Sequence, residues 1–447
     1  MKRKNFAALF GTLLLAPSSA VLAQTVTACP AEVTTPAKCY TGADQNGATY
    51  WIAIPDHWNK VLVMHAHGGP RTKAIDRNSE LPDLKRFAVT TNQGFAWAAS
   101  SYRRPGYGVR MVAEDTENLR KLFIQKFGQP ARTIYHGQSW GGNVAAKGVE
   151  LYAVNADGSR NYDGAMLTSG VIAGGTRAYQ HRADLRAVYQ YYCRNHPRSD
   201  EAQYPLWMGL PADSKMTRND LIERINECTG VKLPAAQRSV QQKRNLANIL
   251  GVIPVPERTL IGHMAWSTFL FQDLVQKRLG GRNPFTNARV IYRGSSDDAA
   301  LNRGVERFDA DPKAVAELAY DADMFGDIKL PVITMHAIDD PTALVEYESA
   351  YKDVVVKAGH QDKLLQTFTD EHEHSKLADP EYAALLDTLM RWIDTGGKPT
   401  VEQVAADCTQ QAAGSAFSGR LPLRAEVRTE TAVRARRAAL DRSGGVA

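Results

Sequence analysis

A serine between closely spaced glycines is the residue of this chain best suited to act as a nucleophile. Ser139 lies in IYHGQSWGGNVAAKG, residues 134–148, where Gly137 and Gly141 complete a Gly-x-Ser-x-Gly pattern. A serine hydroxyl attacks a carbonyl carbon efficiently only when a histidine accepts its proton and a carboxylate orients that histidine. The pattern is short enough to arise by chance, so its surroundings must separate a nucleophile from a glycine-rich turn.

Carboxylates and histidines that could assist Ser139 follow it in the chain. Asp339 and Asp340 lie in MHAIDDPTALVE, just beyond an apolar run typical of a buried strand. His372 and His374 lie in TDEHEHSKLADPEY, directly after another such run. The order serine, acid, histidine is that of α/β-hydrolases and differs from the orders of trypsin-like and subtilisin-like proteases.

A glycine turn near the start of the chain could stabilise negative charge on an attacked carbonyl oxygen. Gly68 and Gly69 follow the apolar run KVLVMHA, and Trp140 directly follows Ser139. We expect the backbone N–H groups of Trp140 and of Gly68 or Gly69 to act as the donors. Losing one such donor typically costs about 3 to 4 kcal/mol of transition-state stabilisation.

The histidines could instead be metal ligands, as the pairs His65 with His67 and His372 with His374. Neither pair lies in an HxHxDH or HExxH pattern, and none of the five cysteines lies in a CxxC. We therefore expect neither a metal nor an organic cofactor.

Alternating strands and helices surround these residues. The strand-like runs are rich in β-branched and aromatic residues, and the helix-like runs have apolar residues at helical spacing. Predicted strands cover residues 49–55, 60–70, 94–103, 132–136, 164–172, 330–339 and 363–370, and predicted helices cover 109–128, 141–154, 344–358 and 381–394. This alternation predicts an α/β fold with a mainly parallel central sheet flanked by helices.

The alternation breaks in the middle of the chain, which predicts an inserted segment. Residues 173–324 are aromatic, punctuated by proline and mostly helical in pattern. We therefore divide the core into residues 24–172 and 325–397, with 173–324 as the insertion. Residues 398–447 form a tail that we expect to be weakly structured, apart from a short helix near AVRARRAAL.

The first residues, 1–23, have the order of a secretory signal peptide. Three basic residues precede an apolar run from Phe6 to Ala16, and small residues follow up to Ala23. We expect cleavage after Ala23, with Ala20 as an alternative, and a secreted or periplasmic protein. The apolar run is shorter than the roughly 20 apolar residues of a membrane span. The alternative to a cleaved signal peptide is an uncleaved anchor or a buried N-terminal helix.

The net charge gives no support for a nucleic acid partner. Three of the formal charges that make up +6 are Lys2, Arg3 and Lys4 in the leader, which leaves about +3. Residues 420–447 carry seven arginines and three acidic residues, so the rest of the exported chain is close to neutral.

Five cysteines follow the leader, where an oxidising compartment permits disulfides. We expect Cys29 to pair with Cys39 and Cys193 with Cys228, because these are nearest in sequence, and Cys408 to remain odd. Other pairings stay open at the level of sequence.

With these residues in place, the chain resembles the α/β-hydrolase superfamily over residues 45–172 and 325–397. It is most similar to secreted bacterial serine hydrolases with a large insert before the acid turn. The turn holding Asp340 resembles the HGxxDP turn of that fold, which implies Asp340 as the acid, with Asp339 as the alternative. The segment after His374 resembles the usual segment after the catalytic histidine, although Glu373-His374-Ser375 replaces the common Gly-His.

The resemblance implies an esterase that forms an acyl-enzyme on Ser139, with the insertion as a cap over the site. A small-molecule or polymeric carboxylic ester would be the substrate, and no oligomeric state is indicated. The double glycine of GQSWGG is also similar to that of prolyl-oligopeptidase-type and proline-iminopeptidase-type enzymes, so a peptidase or amidase is the alternative. A binding protein that keeps the fold without catalysis is the third reading.

Aromatic residues of the insertion could line an acyl or alcohol pocket, or form the insertion's own core. They are Tyr189, Tyr191, Tyr192, Tyr204, Trp207 and Trp266. Arg103 and Arg104, after a predicted strand, could favour an anionic substrate or be solvated loop residues.

Overall fold

A nine-stranded sheet forms the centre of the molecule. The computed structural model describes residues 24–414. The strands are β1 (Thr25–Thr27), β2 (Ala37–Ala43), β3 (Thr49–Pro55), β4 (Val61–Ala66), β5 (Ala96–Ser100), β6 (Arg132–Gln138), β7 (Gly164–Thr168), β8 (Val332–Ala337) and β9 (Leu364–Thr369). Their order across the sheet is β1-β2-β3-β5-β4-β6-β7-β8-β9. The strands β1, β2, β3 and β5 pair antiparallel in that order, and from β5 through β4 to β9 every pairing is parallel.

Helices connect and cover the strands. They are α1 (Leu81–Arg86), α2 (Ala88–Asn92), α3 (Val109–Phe127), α4 (Trp140–Tyr152), α5 (Gly175–Ala178), α6 (Gln180–Cys193), α7 (Arg218–Thr229), α8 (Val240–Val252), α9 (Leu260–Ala265), α10 (Asp298–Gly304), α11 (Pro312–Ala322), α12 (Glu346–Lys357), α13 (Asp379–Thr395) and α14 (Val401–Gly414). Two π-helical segments, Trp266–Leu270 and Asp273–Arg278, follow α9. The predicted mainly parallel sheet with flanking helices, the α/β-hydrolase fold, is therefore confirmed.

Both faces of the sheet are buried, which explains why its central strands are apolar throughout. In β4, Leu62 and Met64 join the cluster that contains Val112 of α3 and Val144 of α4. The alternate residue Val63 joins the opposite cluster with residues of α13. Because successive side chains of a strand point to opposite faces, a strand covered on both sides needs apolar residues at every position.

The segment between β7 and β8 is largely helical, as the sequence predicts. It contains α5 to α11, and the Cys193–Cys228 disulfide links α6 to α7 within it. A second disulfide joins Cys29 to Cys39 in β2, while Cys408 is free. Both predicted pairings and the odd cysteine are confirmed.

The prediction of a weakly structured tail is wrong for residues 401–414. These residues form α14, in which Val404 is fully buried and Val401 and Cys408 pack against the same cluster as α13. The apolar residues recur at three- and four-residue spacing, so one stripe of the helix is covered by α13. The AVRARRAAL stretch and the leader, residues 1–23, lie outside the described residues.

No helix within residues 24–414 is both long enough and apolar enough to cross a membrane.

Candidate active site

Ser139 occupies a sharp turn between β6 and α4. Its backbone has φ +58° and ψ −123°, in the region that side-chain-bearing residues rarely adopt. The neighbouring glycines permit this turn, because an ideal Cβ on Gly137 would lie 2.1 Å from the carbonyl oxygen of Gly141. A Cβ on Gly141 would lie 2.0 Å from the carbonyl oxygen of Ala66 in β4. The Gly-x-Ser-x-Gly spacing is thus a packing requirement of the turn.

The structure brings Ser139, His374 and Asp340 into one hydrogen-bonded chain. His374 Nε2 lies 2.8 Å from Ser139 Oγ. On the other side of the ring, Nδ1 lies 3.0 Å from Oδ1 and 2.8 Å from Oδ2 of Asp340. The three residues follow β6, β8 and β9, whose carboxyl ends meet at one edge of the sheet. This arrangement can move a proton from the hydroxyl to the imidazole while the carboxylate stabilises the resulting cation.

The Asp340 carboxylate is buried and held by backbone donors. Its side chain is 0% exposed, and Oδ1 accepts the N–H groups of Thr342 at 2.8 Å and Ala343 at 2.9 Å. Burial raises the pKa of this carboxyl, but the hydrogen bond and charge of His374, the charge of His336 and the Thr342 N–H lower its pKa to a net value below the ordinary one. Asp340 therefore stays ionised beside His374.

The two alternative candidates pair with each other. His372 Nδ1 lies 3.0 Å from Asp339 Oδ2, and both side chains are more exposed than Asp340. Of the four residues that the sequence left open, the geometry brings only Asp340 and His374 to Ser139.

The predicted glycine turn lies against Ser139. An ideal Cβ on Gly68 would be 3.1 Å from Ser139 Cβ, so the turn approaches the serine as closely as a glycine allows. Gly69 has φ +69°. Trp140 is the first residue of α4, and the first N–H groups of a helix have no intrahelical acceptor. These amides are the donors that the sequence predicts for an oxyanion, and that role remains a prediction.

Two aromatic rings hold the glycine turn in place. His67 Nδ1 lies 3.1 Å from the Gly68 carbonyl oxygen, and the backbone N–H of His67 donates to the Tyr102 hydroxyl at 3.1 Å. The two rings are stacked with centroids 4.4 Å apart. Burial, together with the charge of Arg71, lowers the pKa of His67 to about 3, so its ring is neutral. Sequence reasoning missed Tyr102, because it lies 35 residues from the turn that it supports.

A side-chain bridge also connects the nucleophile strand to the histidine loop. The Gln138 amide donates a hydrogen bond to the hydroxyl of Ser375, which follows His374. No sequence signal identified this contact, because 237 residues separate its partners.

A cavity of about 840 Å³ lies beside the acid turn. Of the six aromatic residues that could have lined a pocket, Trp266 does so. Tyr189 is fully buried in the core cluster, and Tyr191, Tyr192 and Trp207 pack against that cluster. Tyr204 contacts Arg186 instead. Most of this set therefore belongs to the hydrophobic core that the insertion shares with the sheet, and does not line the cavity.

Neither of the arginines considered from the sequence lines this cavity. Arg103 is bound to the carboxylates of Glu114 and Asp115. Arg104 donates to the carbonyl oxygens of Pro105 and Tyr107. Residues 24–414 contain no group of three or more His, Cys, Asp or Glu side chains that could hold a metal ion.

Comparisons with known proteins find distant likenesses. No family model matches the chain. A curated relative, o-phthalyl amidase of Xanthobacter agilis, is 21% identical over 425 residues, which cover 80% of this chain and 87% of that protein.

Three solved structures to which the chain is similar are esterases or lipases. The rice cell wall degrading esterase LipA from Xanthomonas oryzae has 11% identity, a TM-score of 0.42 and coverage of 83% of this chain and 96% of its own. Candida antarctica lipase A in its closed state has 10% identity and a TM-score of 0.44, with coverage of 89% and 92%. A Pyrobaculum calidifontis esterase has 13% identity and a TM-score of 0.41, with coverage of 83% and 89%.

Proposed function

We propose that this chain, which has the α/β-hydrolase fold, is a serine hydrolase that cleaves carboxylic esters through an acyl-enzyme on Ser139. One observation supports this most strongly: His374 lies within hydrogen-bond distance of both Ser139 Oγ and the buried Asp340 carboxylate. A nucleophile, a base and an orienting acid in mutual contact are the requirements for acyl transfer by a serine.

In the acylation step, Ser139 Oγ attacks the ester carbonyl carbon while its proton moves to His374 Nε2. The Nδ1–H of the resulting imidazolium donates to Asp340, which remains ionised. The carbonyl π electrons move to oxygen, and the backbone N–H groups of Trp140 and of Gly68 or Gly69 stabilise this oxyanion. When the tetrahedral intermediate collapses, His374 gives its proton to the departing alcohol, and the acyl group remains on Ser139.

Deacylation repeats these steps with water as the nucleophile. His374 takes one proton from a water molecule, whose oxygen attacks the acyl carbon. The second collapse returns that proton to Ser139 Oγ and releases the carboxylic acid. The cycle consumes one ester and one water and needs no metal or organic cofactor.

The inserted segment, residues 173–324, acts in this proposal as a cap between the two parts of the core, 24–172 and 325–397. His263 in this segment donates from Nε2 to the Pro341 carbonyl oxygen at 2.8 Å, next to Asp340. Arg258 donates to the carbonyl oxygen of His372 at 2.6 Å, close to His374. These contacts anchor the segment beside the acid and the base.

Cleavage of an amide is the second candidate, because the curated relative is an amidase. The peptidase reading requires an acidic anchor for the amine of a peptide. The cavity beside the acid turn has no Asp or Glu among its lining residues, and four of them are cationic: Lys73, Arg182, Arg218 and Arg258. The cavity therefore favours a non-peptide amide over a peptide within this second candidate.

We also place the protein outside the cytoplasm, secreted or in the periplasm. The order of residues 1–23 is that of a secretory leader, and the two disulfides fit an oxidising compartment.

Hydrolysis of matched substrates tests the proposed function. Phenyl butyrate and butyranilide share an acyl group and differ in the leaving group, and each is assayed with wild type and Ser139→Ala. We expect turnover of the ester that the substitution reduces by about 10³-fold or more. Turnover of the anilide alone would replace the esterase with the amidase, and Ser139-independent turnover of both would overturn the acyl-enzyme. Absence of turnover in folded protein would favour the binding-protein reading.

A further inference from the structure

Arg182 is a buried cation that forms no ion pair with a carboxylate among the residues that the structure describes. It lies in α6 and is 2% exposed. Its Nε–H donates to His263 Nδ1 at 3.2 Å, and its Nη2 donates to the Thr342 carbonyl oxygen at 3.0 Å. The buried Nη1 has no hydrogen-bond partner among the described residues. Because an unpaired buried charge is costly, this guanidinium is a candidate for binding an anion that is not part of the protein.

Neither hydrogen-bond partner of Arg182 is negatively charged, and the Asp340 carboxylate attracts the guanidinium only from beyond ion-pair distance. His263 donates from Nε2 to Pro341 and accepts from Arg182 at Nδ1, so its ring carries a single proton. Burial and the charge of Arg182 lower the pKa of His263 to about 3, in agreement with a neutral ring. The guanidinium also lies over the Trp266 ring, 4.7 Å from its centroid, which orients the cation without removing its charge.

Arg182 lines the cavity beside the acid turn together with other cations. Lys73 and Arg218 also line it, and neither has a carboxylate within 4.0 Å among the described residues. Arg258, the fourth cation of the lining, is paired with Glu373 at 3.1 Å. The cavity thus carries an excess of positive charge.

The cavity is adjacent to the proposed catalytic residues. Its wall includes Thr342, two residues after Asp340, and Thr72 and Lys73, which follow the Gly68-Gly69 turn. Its volume of about 840 Å³ lies in the range of small-molecule sites. A molecule bound in this cavity would therefore contact both the acid turn, through Thr342, and the segment that follows the glycine turn.

One part of the wall is apolar and consists of Ile261, Ala265, Trp266, Phe269 and Leu270. Such a wall suits a molecule with a hydrocarbon or aromatic body and a single anionic end. A carboxylate fits the planar donors of a guanidinium and carries only one charge to desolvate.

We propose that this cavity binds a carboxylate of the substrate through Arg182, so that the enzyme selects esters or amides that carry a free carboxylate. This inference rests on the proposed function for its catalytic consequence. Binding of the anion itself does not depend on turnover, so the two can be tested separately.

Calorimetry with Ser139→Ala protein tests the anion site without hydrolysis. Benzoate and benzamide are the probes, because they share an aromatic body and differ in charge. We expect benzoate to bind about 10- to 100-fold more tightly, as is typical of a charge-assisted hydrogen bond. We expect Arg182→Met, added to Ser139→Ala, to remove this difference and Arg182→Lys to retain part of it.

Arg186→Met is the matched control. Arg186 lies one turn further along α6, is fully buried and likewise has guanidinium atoms without partners, but it does not line the cavity. Its substitution should leave the preference for benzoate unchanged. Equal binding of the two probes to the parent protein, or an equal loss of preference in both arginine variants, would overturn the anion site.

Kinetics then test the consequence for selectivity. Mono-(p-nitrophenyl) adipate and p-nitrophenyl hexanoate differ on the acyl side, where the first ends in a carboxylate and the second in a methyl group. 4-Acetoxybenzoate and its methyl ester differ on the leaving group, which carries a carboxylate in the first and a neutral methyl ester in the second; for this pair the rate of acetyl release is compared. We expect kcat/KM to favour the anionic member of one pair by about 10-fold or more, mainly through KM, and Arg182→Met to abolish that preference. A preference for the neutral member in both pairs would overturn the proposed selectivity. Turnover independent of Ser139 would instead contradict the proposed function.

Discussion

The identity of the acid is tested by Asp340→Asn. In the wild type, Oδ1 of Asp340 accepts the N–H groups of Thr342 and Ala343, while Oδ2 is the oxygen nearest to His374 Nδ1, at 2.8 Å. An asparagine keeps its single oxygen on the two backbone donors and therefore presents its NH₂ group to Nδ1. The His374 proton then moves to Nε2, which faces Ser139 and can no longer accept a proton.

The expected loss follows from this change of tautomer. We expect kcat/KM to fall by about 10³- to 10⁴-fold, equivalent to about 4 to 5.5 kcal/mol at 1.36 kcal/mol per tenfold. Asp339→Asn is the matched control, because Asp339 pairs with His372, and it should change kcat/KM by less than about threefold.

The assay is hydrolysis of p-nitrophenyl butyrate at neutral pH, with thermal unfolding to verify that each variant is folded. A folded Asp340→Asn protein that keeps more than one tenth of the wild-type kcat/KM would refute the reasoning. A larger loss in Asp339→Asn than in Asp340→Asn would assign the acid to the other residue.

Three further predictions concern stability. Gly137→Ala should lower the free energy of unfolding by about 3 kcal/mol or more, because the added Cβ would meet a backbone oxygen, whereas Gly262→Ala, with open space around its Cβ, should not lower it. Equal effects of the two substitutions in denaturant titrations would contradict this prediction. Burial raises the pKa of Glu381 to about 7 from an ordinary 4.5, so the folded state retains a proton that the unfolded chain releases, and stability should fall by about 1 to 3 kcal/mol between pH 4.5 and 7. Glu381→Gln should remove this loss of stability between pH 4.5 and 7. If the pH profile of the melting temperature is the same in wild type and Glu381→Gln, Glu381 is not its cause. Replacing Cys193 and Cys228 with serine should lower the free energy of unfolding by about 3 to 4 kcal/mol, because the disulfide closes a loop with a sequence separation of 35 in the unfolded chain. Denaturant unfolding under oxidising conditions measures this loss, and a value below about 1 kcal/mol would contradict the prediction.

Elements with a strong local pattern could be predicted from the sequence. The predicted strand at residues 49–55 agrees with β3, and the predicted helix at residues 109–128 agrees with α3 to within one residue. In contrast, β2, with the sequence AKCYTGA, has little apolar alternation. It is a strand because it pairs with β3 over its whole length, with Cys39 opposite Ala53. Such pairing is a long-range contact that no local window contains.

Some residues of the candidate site could likewise be predicted from the sequence, and others could not. Ser139, Asp340 and His374 each follow a strand of a parallel sheet, so their meeting at one edge could be expected from the strand predictions. Arg182 lies in the inserted segment, where no alternation or motif marks it. Its importance comes from its burial, from the lack of a carboxylate ion-pair partner within residues 24–414, and from the cavity that it lines. All three require the three-dimensional structure.

Covalent labelling of the nucleophile tests the central claim most directly. The wild-type protein and Ser139→Ala are treated with a fluorophosphonate, and the modified residue is located by mass spectrometry of proteolytic peptides. An activated serine should acquire one phosphonyl group on Ser139, and the folded Ser139→Ala protein should acquire none. Equal labelling of the two proteins, or no labelling of folded wild type, would contradict the acyl-enzyme on Ser139.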